Sequence, residues 1–113
     1  VHIGSTITWE VQFTDTNSGD AADPDTVEFF LREEIDGTEL RWIYSESPSE
    51  GTHYPEGFSA MTKEGTGNYR VRERARKPER HSGLFVGSGN DGNDQVFEMT
   101  VFVRHSPMSS RDP

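Results

Sequence analysis

Ile7, Trp9, Val11 and Phe13 alternate with Thr8, Glu10 and Gln12 along the segment Thr6–Thr14. Successive side chains of a strand point to opposite faces, so the apolar groups line one side and the polar groups the other. At helical spacing the same residues would scatter round the cylinder. The segment therefore reads as a strand with one buried face and one wet face.

Later apolar runs repeat the pattern. Asp15 to Asp25 is rich in Gly, Asn, Asp and Pro and reads as a turn region. A second strand starts at Thr26, with Val27, Phe29 and Leu31 inward and Glu28, Phe30 and Arg32 outward. Asp36-Gly37 suits a two-residue type I′ hairpin turn. It leads into Glu39–Ser45, where Leu40, Trp42 and Tyr44 share one face and Arg41 and Ile43 the other. Ser45 to Gly57 carries two prolines and two glycines and reads as the longest loop. Further strands are predicted at about Phe58–Thr62, Asn68–Ala75, Ser82–Gly87 and Val96–Arg104; in the last, Phe97, Met99, Val101 and Val103 share a face. Seven strands at roughly 8–12-residue intervals predict an all-β, immunoglobulin-like sandwich of antiparallel strands. The domain is expected over residues 1–105, with 106–113 as a polar tail.

Composition narrows this picture. Apolar residues make up 30% of the 113, and mean hydropathy is −0.82, so the core must be thin. Two sheets suit that, since each strand needs only one apolar face. Disorder is the rival for so polar a chain, but 11% aromatics in alternation argue against it. There is no cysteine, hence no disulfide and no thiol chemistry, which fits a cytoplasmic site of synthesis. No apolar stretch approaches the ~20 residues that span a bilayer, and no membrane partner is expected.

The net charge of −9 is unevenly spread. Val1–Glu64 holds fourteen acidic residues against three basic ones, whereas Gly65–Pro113 holds six against eight. That asymmetry predicts two surfaces of opposite sign. Arg70, Arg72, Arg74 and Arg76 recur at every second position, and Lys77 and Arg80 extend the cluster. Two readings stand side by side: a docking stripe for an acidic protein surface, or a solvated face that pairs with the chain's own carboxylates. Nucleic acid fits poorly, because no aromatic stacking platform interleaves with the basic residues and the acidic half would repel phosphate.

Candidate chemistry is sparse. Asp15-x-Asn17-x-Gly19-Asp20 has the look of a calcium loop, but its glycine is one place early and Thr26 stands where a bidentate carboxylate belongs. Gly89–Val96 resembles a single turn of a calcium-binding repeat that functions only when stacked, and reads better as a hairpin connection. His2, His53, His81 and His105 lack ligand spacing and are expected at the surface. Ser45, Ser47 and Ser49 have no nucleophile-elbow context, and Glu33 and Glu34 face opposite ways. An enzyme is not expected, nor a cofactor or metal. Trp9 and Trp42 could form a sugar platform, yet both share the parity of their apolar strand-mates and are assigned to the core with Phe13, Phe29, Tyr69 and Phe97. Tyr69 occupies a position like that of a tyrosine corner, tying a sheet to a crossing loop. Phe30, Ile43 and Phe102 have the opposite parity and suit contact with another protein.

Several of these segments resemble a known group. They are Gly4-x-x-Ile7-x-Trp9-x-Val11-x-Phe13-x-Asp15, Asp23-Pro24-x-Thr26-Val27-x-Phe29-x-Leu31-Arg32, Asp36-Gly37-Thr38, Gly65-Thr66-Gly67-Asn68-Tyr69-Arg70-Val71 and Gly83–Gly89. In order and spacing they resemble the short immunoglobulin-like proteins encoded among the structural genes of tailed bacteriophages. The chain departs from that pattern at Gly65, where an acidic residue is usual, and in the basic run after Tyr69. The resemblance implies a virion protein on the head surface, a decoration or cement protein whose partner is the major capsid protein, with other copies of itself as a second partner. Arg70, Arg72, Arg74, Arg76, Lys77, Arg80, Phe30 and Phe102 would make the contacts. A receptor- or carbohydrate-binding surface or tail module and a head–tail joining component are the alternatives.

Overall fold

The computed structural model describes residues 1–44, 58–89 and 94–105. Among these the chain forms seven strands and no helix: β1 (Thr6–Gln12), β2 (Thr26–Glu33), β3 (Thr38–Ile43), β4 (Thr62–Gly65), β5 (Asn68–Arg74), β6 (Glu79–Ser88) and β7 (Gln95–Val103). All strand pairs are antiparallel. They make two sheets, one ordered β1-β5-β4 and the other β3-β2-β6-β7. No helix among the described residues is long and apolar enough to cross a membrane.

Alternation decides which side of each strand is buried. Ile7, Trp9 and Val11 of β1 face Val27, Phe29 and Leu31 of β2 across the interior, with Tyr69, Val71, Trp42 and Phe85 completing the core. Phe29 sits at its centre, its ring 4.4 Å from Phe85, 5.3 Å from Trp42 and 5.6 Å from Trp9. Two glycines let the sheets close this tightly. A Cβ at Gly83 would stand 2.8 Å from the Trp9 ring, and one at Gly87 would stand 2.6 Å from Phe13. β6 thus carries a notch under each of two β1-side aromatics.

Five of the six expected core aromatics, Trp9, Phe13, Phe29, Trp42 and Tyr69, are buried. Phe97 is not: it touches the Phe13 ring edge-on at 5.6 Å but stays 36% exposed. β7 is the outer strand of a four-stranded sheet facing one of three, so its inner face overhangs the cover. Trp42 directs its indole N–H to the Ser59 carbonyl at 2.9 Å, which satisfies the one polar group that its burial would otherwise strand.

Some predicted boundaries shift. The strand expected at Phe58–Thr62 is instead Thr62–Gly65, while Phe58 makes only an isolated bridge to Glu73. The β2–β3 hairpin closes at Glu33 and Thr38, which leaves four loop residues rather than two. Gly37 alone there has positive φ, +75°, and the Asp36 carboxylate accepts the Thr38 N–H, so no type I′ turn forms. Ser45–Gly57, His53, part of the Gly89–Val96 loop and the tail at 106–113 lie outside the described residues.

Candidate functional site

The arginine run is divided by the fold. Period-two placement on β5 sends Arg70, Arg72 and Arg74 to the outer face of the three-stranded sheet, opposite Glu10, Thr8 and Thr6 of β1. Arg70 is neutralised by Glu10 at 3.1 Å and Glu64 at 3.7 Å. Arg72 and Arg74 face threonines, are exposed, and have no ion-pair partner among the described residues. Arg76 follows the strand and is also exposed. Lys77 turns back: its ammonium lies 2.7 Å from Asp36 and 3.3 Å from Glu33. Hydrogen bonding to Asp36 leads the causes that raise its pKa above 10.5. Arg80 belongs to the other sheet, across from Phe102 on β7. The six basic residues are therefore three separate features, because the chain crosses between sheets after Arg74.

The acidic and basic halves do not form two opposed surfaces either. β5, from the basic half, is flanked by β1 and β4 from the acidic half, and β6 lies beside β2. The fold interleaves them. Among the described residues Arg70 is paired with acids of the first half, whereas Arg72 and Arg74 have only threonines opposite them on β1.

His81 corrects the expectation of a surface histidine. It has no exposed surface, in phase with Gly83, Phe85 and Gly87 on the inner face of β6. Its Nδ1 stands 2.9 Å from Glu73 Oε1 and its Nε2 2.9 Å from the Lys77 carbonyl oxygen. The Lys77 carbonyl can only accept, so Nε2 carries a proton, and a second proton on Nδ1 lets the ring donate to Glu73 as an imidazolium. Burial opposes that charge. Hydrogen bonds to Glu73 and Lys77, with the charges of Glu73 and Glu33, outweigh it and raise the pKa above 6.5. Trp9 Nε1 also donates to Glu73 Oε1, at 3.4 Å. Glu33, Glu73 and His81 bring ligand atoms within 4.8 Å of one another, but the imidazolium and the Lys77 ammonium already supply the positive charge there.

The β1–β2 connection is tied down by Asp23. Its carboxylate accepts from Lys63 Nζ at 2.6 Å, from the Gly67 N–H at 2.7 Å and from the Tyr69 hydroxyl at 3.2 Å. Tyr69 does tie its sheet to a crossing loop, as its position suggests. At Asp15 the carboxylate accepts the N–H groups of Asn17 and Ser18, so the calcium-like motif is used to close its own turn.

The outer face of the four-stranded sheet carries several exposed apolar side chains. Ile43 and Val96 are 57% exposed and Phe102 55%, with Phe30 beside them at 36%. A groove of about 600 Å³ crosses it, walled by Phe30, Arg32 and Arg41 on one side and by Leu84, Glu98 and Thr100 on the other. Phe30 and Phe102, expected from parity to face outward, both do so. No protein-family model matches the chain, and no curated protein matches its sequence.

Proposed function

We propose that this protein is a non-enzymatic structural component of a phage virion, an immunoglobulin-like sandwich that attaches to the capsid lattice and reinforces it. The strand order supports the fold part of this reading. β1-β5-β4 over β3-β2-β6-β7 matches the order B-E-D over C′-C-F-G of immunoglobulin-like domains. The parallel bridge of His2 to Arg104 adds an N-terminal segment beside the last strand.

The observation that carries the functional part is the pair Arg72 and Arg74. Exposed ion pairs contribute only ~0–1 kcal/mol, and Arg72 and Arg74 make none among the described residues, so their charges give the fold little stability. In a protein of net charge −9, they are a directed basic patch suited to fork-shaped pairing with carboxylates of a partner. Repetition of such contacts over a shell would combine weak sites by avidity. Trp9 and Trp42 are both buried, so neither indole is presented as a sugar platform.

Mass spectrometry of purified particles, with copy number, tests the role. Copies in proportion to the major capsid protein fit decoration, a ring-sized number fits a head–tail joint, and absence from particles sinks both. Arg72→Glu with Arg74→Glu should abolish attachment to capsids while leaving the melting temperature within a few degrees. Undiminished attachment would exclude this face.

A further inference from the structure

The strand register of the four-stranded sheet sets its outward side chains in level rows. One row runs Ile43–Glu28–Val86–Val96, the next Arg41–Phe30–Leu84–Glu98, and the next Glu39–Arg32–Ser82–Thr100. The middle row has its cation on β3 and its anion on β7, with Phe30 and Leu84 between them. Arg41 bonds Glu28 at 2.6 Å within the same copy. Glu98 has no ion-pair partner among the described residues, although it lies in an apolar setting beside Leu84. An unmatched carboxylate at one end of a row and a guanidinium at the other is the pattern of a surface complementary to itself.

We propose that this face pairs with the same face of a second copy, across a two-fold axis that runs along the strands between β2 and β6. Such an axis keeps every row level and exchanges its ends. Arg41 then meets Glu98 of the other copy, Ile43 meets Val96, and Phe30 meets Leu84. Arg32 enters the low part of the groove over Ser82, long side chain over short. Residue-to-residue reciprocity of this kind is what a closed dimer requires. One row further, Arg80 of β6 meets Glu34, which follows β2 in its own copy and lies on the same side.

The dimensions suffice. Four strands ~4.8 Å apart and about eight residues of ~3.3 Å give a footprint of about 500 Å² per copy, so about 1,000 Å² in total, the lower bound for a specific interface. Stacked sheets cross at about 30°, which displaces the Arg41–Glu98 pair by about 4 Å, within the reach of an arginine. In the middle row, apolar Phe30 and Leu84 between charged ends follow the usual arrangement of core and rim. This surface is on the opposite side of the molecule from Arg72 and Arg74 and does not depend on a virion role.

Sedimentation equilibrium of the full chain tests the proposal, with far-ultraviolet circular dichroism to verify folding. The wild type should sediment at twice its chain mass at micromolar concentration. Glu98→Arg should raise the dissociation constant about a hundredfold, since like charges across an interface cost several kcal/mol. Arg41→Glu should do the same. Mixing the two folded variants should restore association. The carboxylate introduced at position 41 then meets the guanidinium introduced at position 98, while the native Arg41 and Glu98 meet at the reciprocal contact. Arg72→Glu with Arg74→Glu should leave the dimer intact. A wild type that stays monomeric, a dimer indifferent to Glu98→Arg, or a mixture that fails to associate would each overturn the proposal.

Discussion

His81 Nδ1 lies 2.9 Å from Glu73 Oε1 in a place where neither side chain is more than 1% exposed. Between the two sheets of a thin β domain, an ion pair replaces what would ordinarily be a contact of apolar groups. Trp9, Lys77 and Glu33 complete its surroundings. Such pairs are costly to break because the remaining charge is left without compensation.

The pair makes stability depend on pH. The His81 pKa is raised on folding, so its contribution is complete below the unfolded value of about 6.5 and is lost as pH rises through the folded value. Melting temperature should therefore fall on the alkaline side of about pH 6.5. His81→Phe should remove that slope and cost about 3–5 kcal/mol, because Glu73 is stranded. Joint replacement by His81→Phe and Glu73→Leu should cost less than either alone. Thermal unfolding of the variants across the pH range decides it, and an unchanged slope in His81→Phe would assign the effect elsewhere.

Close approach at the β6 notch gives a second expectation. Gly83→Ala should destabilise by about 1–3 kcal/mol, since the new methyl meets the Trp9 and Phe29 rings. Gly67→Ala should cost more: φ is +75° and the methyl would strike the Phe13 carbonyl, which cannot rotate away. Gly65→Ala is the control, with its nearest neighbour, Asn68 Nδ2, at an ordinary 3.6 Å. Denaturant midpoints should rank the three, and a harmless Gly83→Ala would mean that the layers can part.

Asp23 provides the acid-side counterpart. Hydrogen bonds from Lys63 and from the Gly67 backbone hold its pKa below 3.8. A lowered folded pKa stabilises above the unfolded value and is lost as pH falls through the folded one. Asp23→Asn should cost about 1–2 kcal/mol near neutrality and flatten the loss of stability below about pH 4. Asp36, whose pKa is also lowered by Lys77, should leave a residual slope. Equal acid sensitivity in the variant and the wild type would argue against the role given to Asp23.

Alternation makes most strands legible, together with the burial of Trp9, Phe29 and Trp42. The buried ion pair escapes the sequence reading, which places His81 at the surface, although Glu33, Glu73 and His81 all have the inward parity of the strands they occupy. What parity cannot give is the pairing of distant strands, such as the register that sets Glu33 opposite His81. The same gap explains the arginines, since nothing local says that the chain changes sheet between Arg74 and Arg80. β4 has the sequence Thr-Lys-Glu-Gly, all exposed, and owes its existence to pairing with β5 rather than to any pattern of its own. Phe97 shares an apolar parity with its neighbours, but the width of the opposing sheet, not the sequence of β7, leaves it half uncovered.

Trp9 above Gly83 and Phe13 above Gly87 act as two pegs in two holes. The stagger of the layers is thereby fixed, since sliding one sheet along by a residue pair would drive an indole into Phe85. A load applied along the strands cannot be relieved by gradual creep. The domain should hold its shape under tension up to a single yield point.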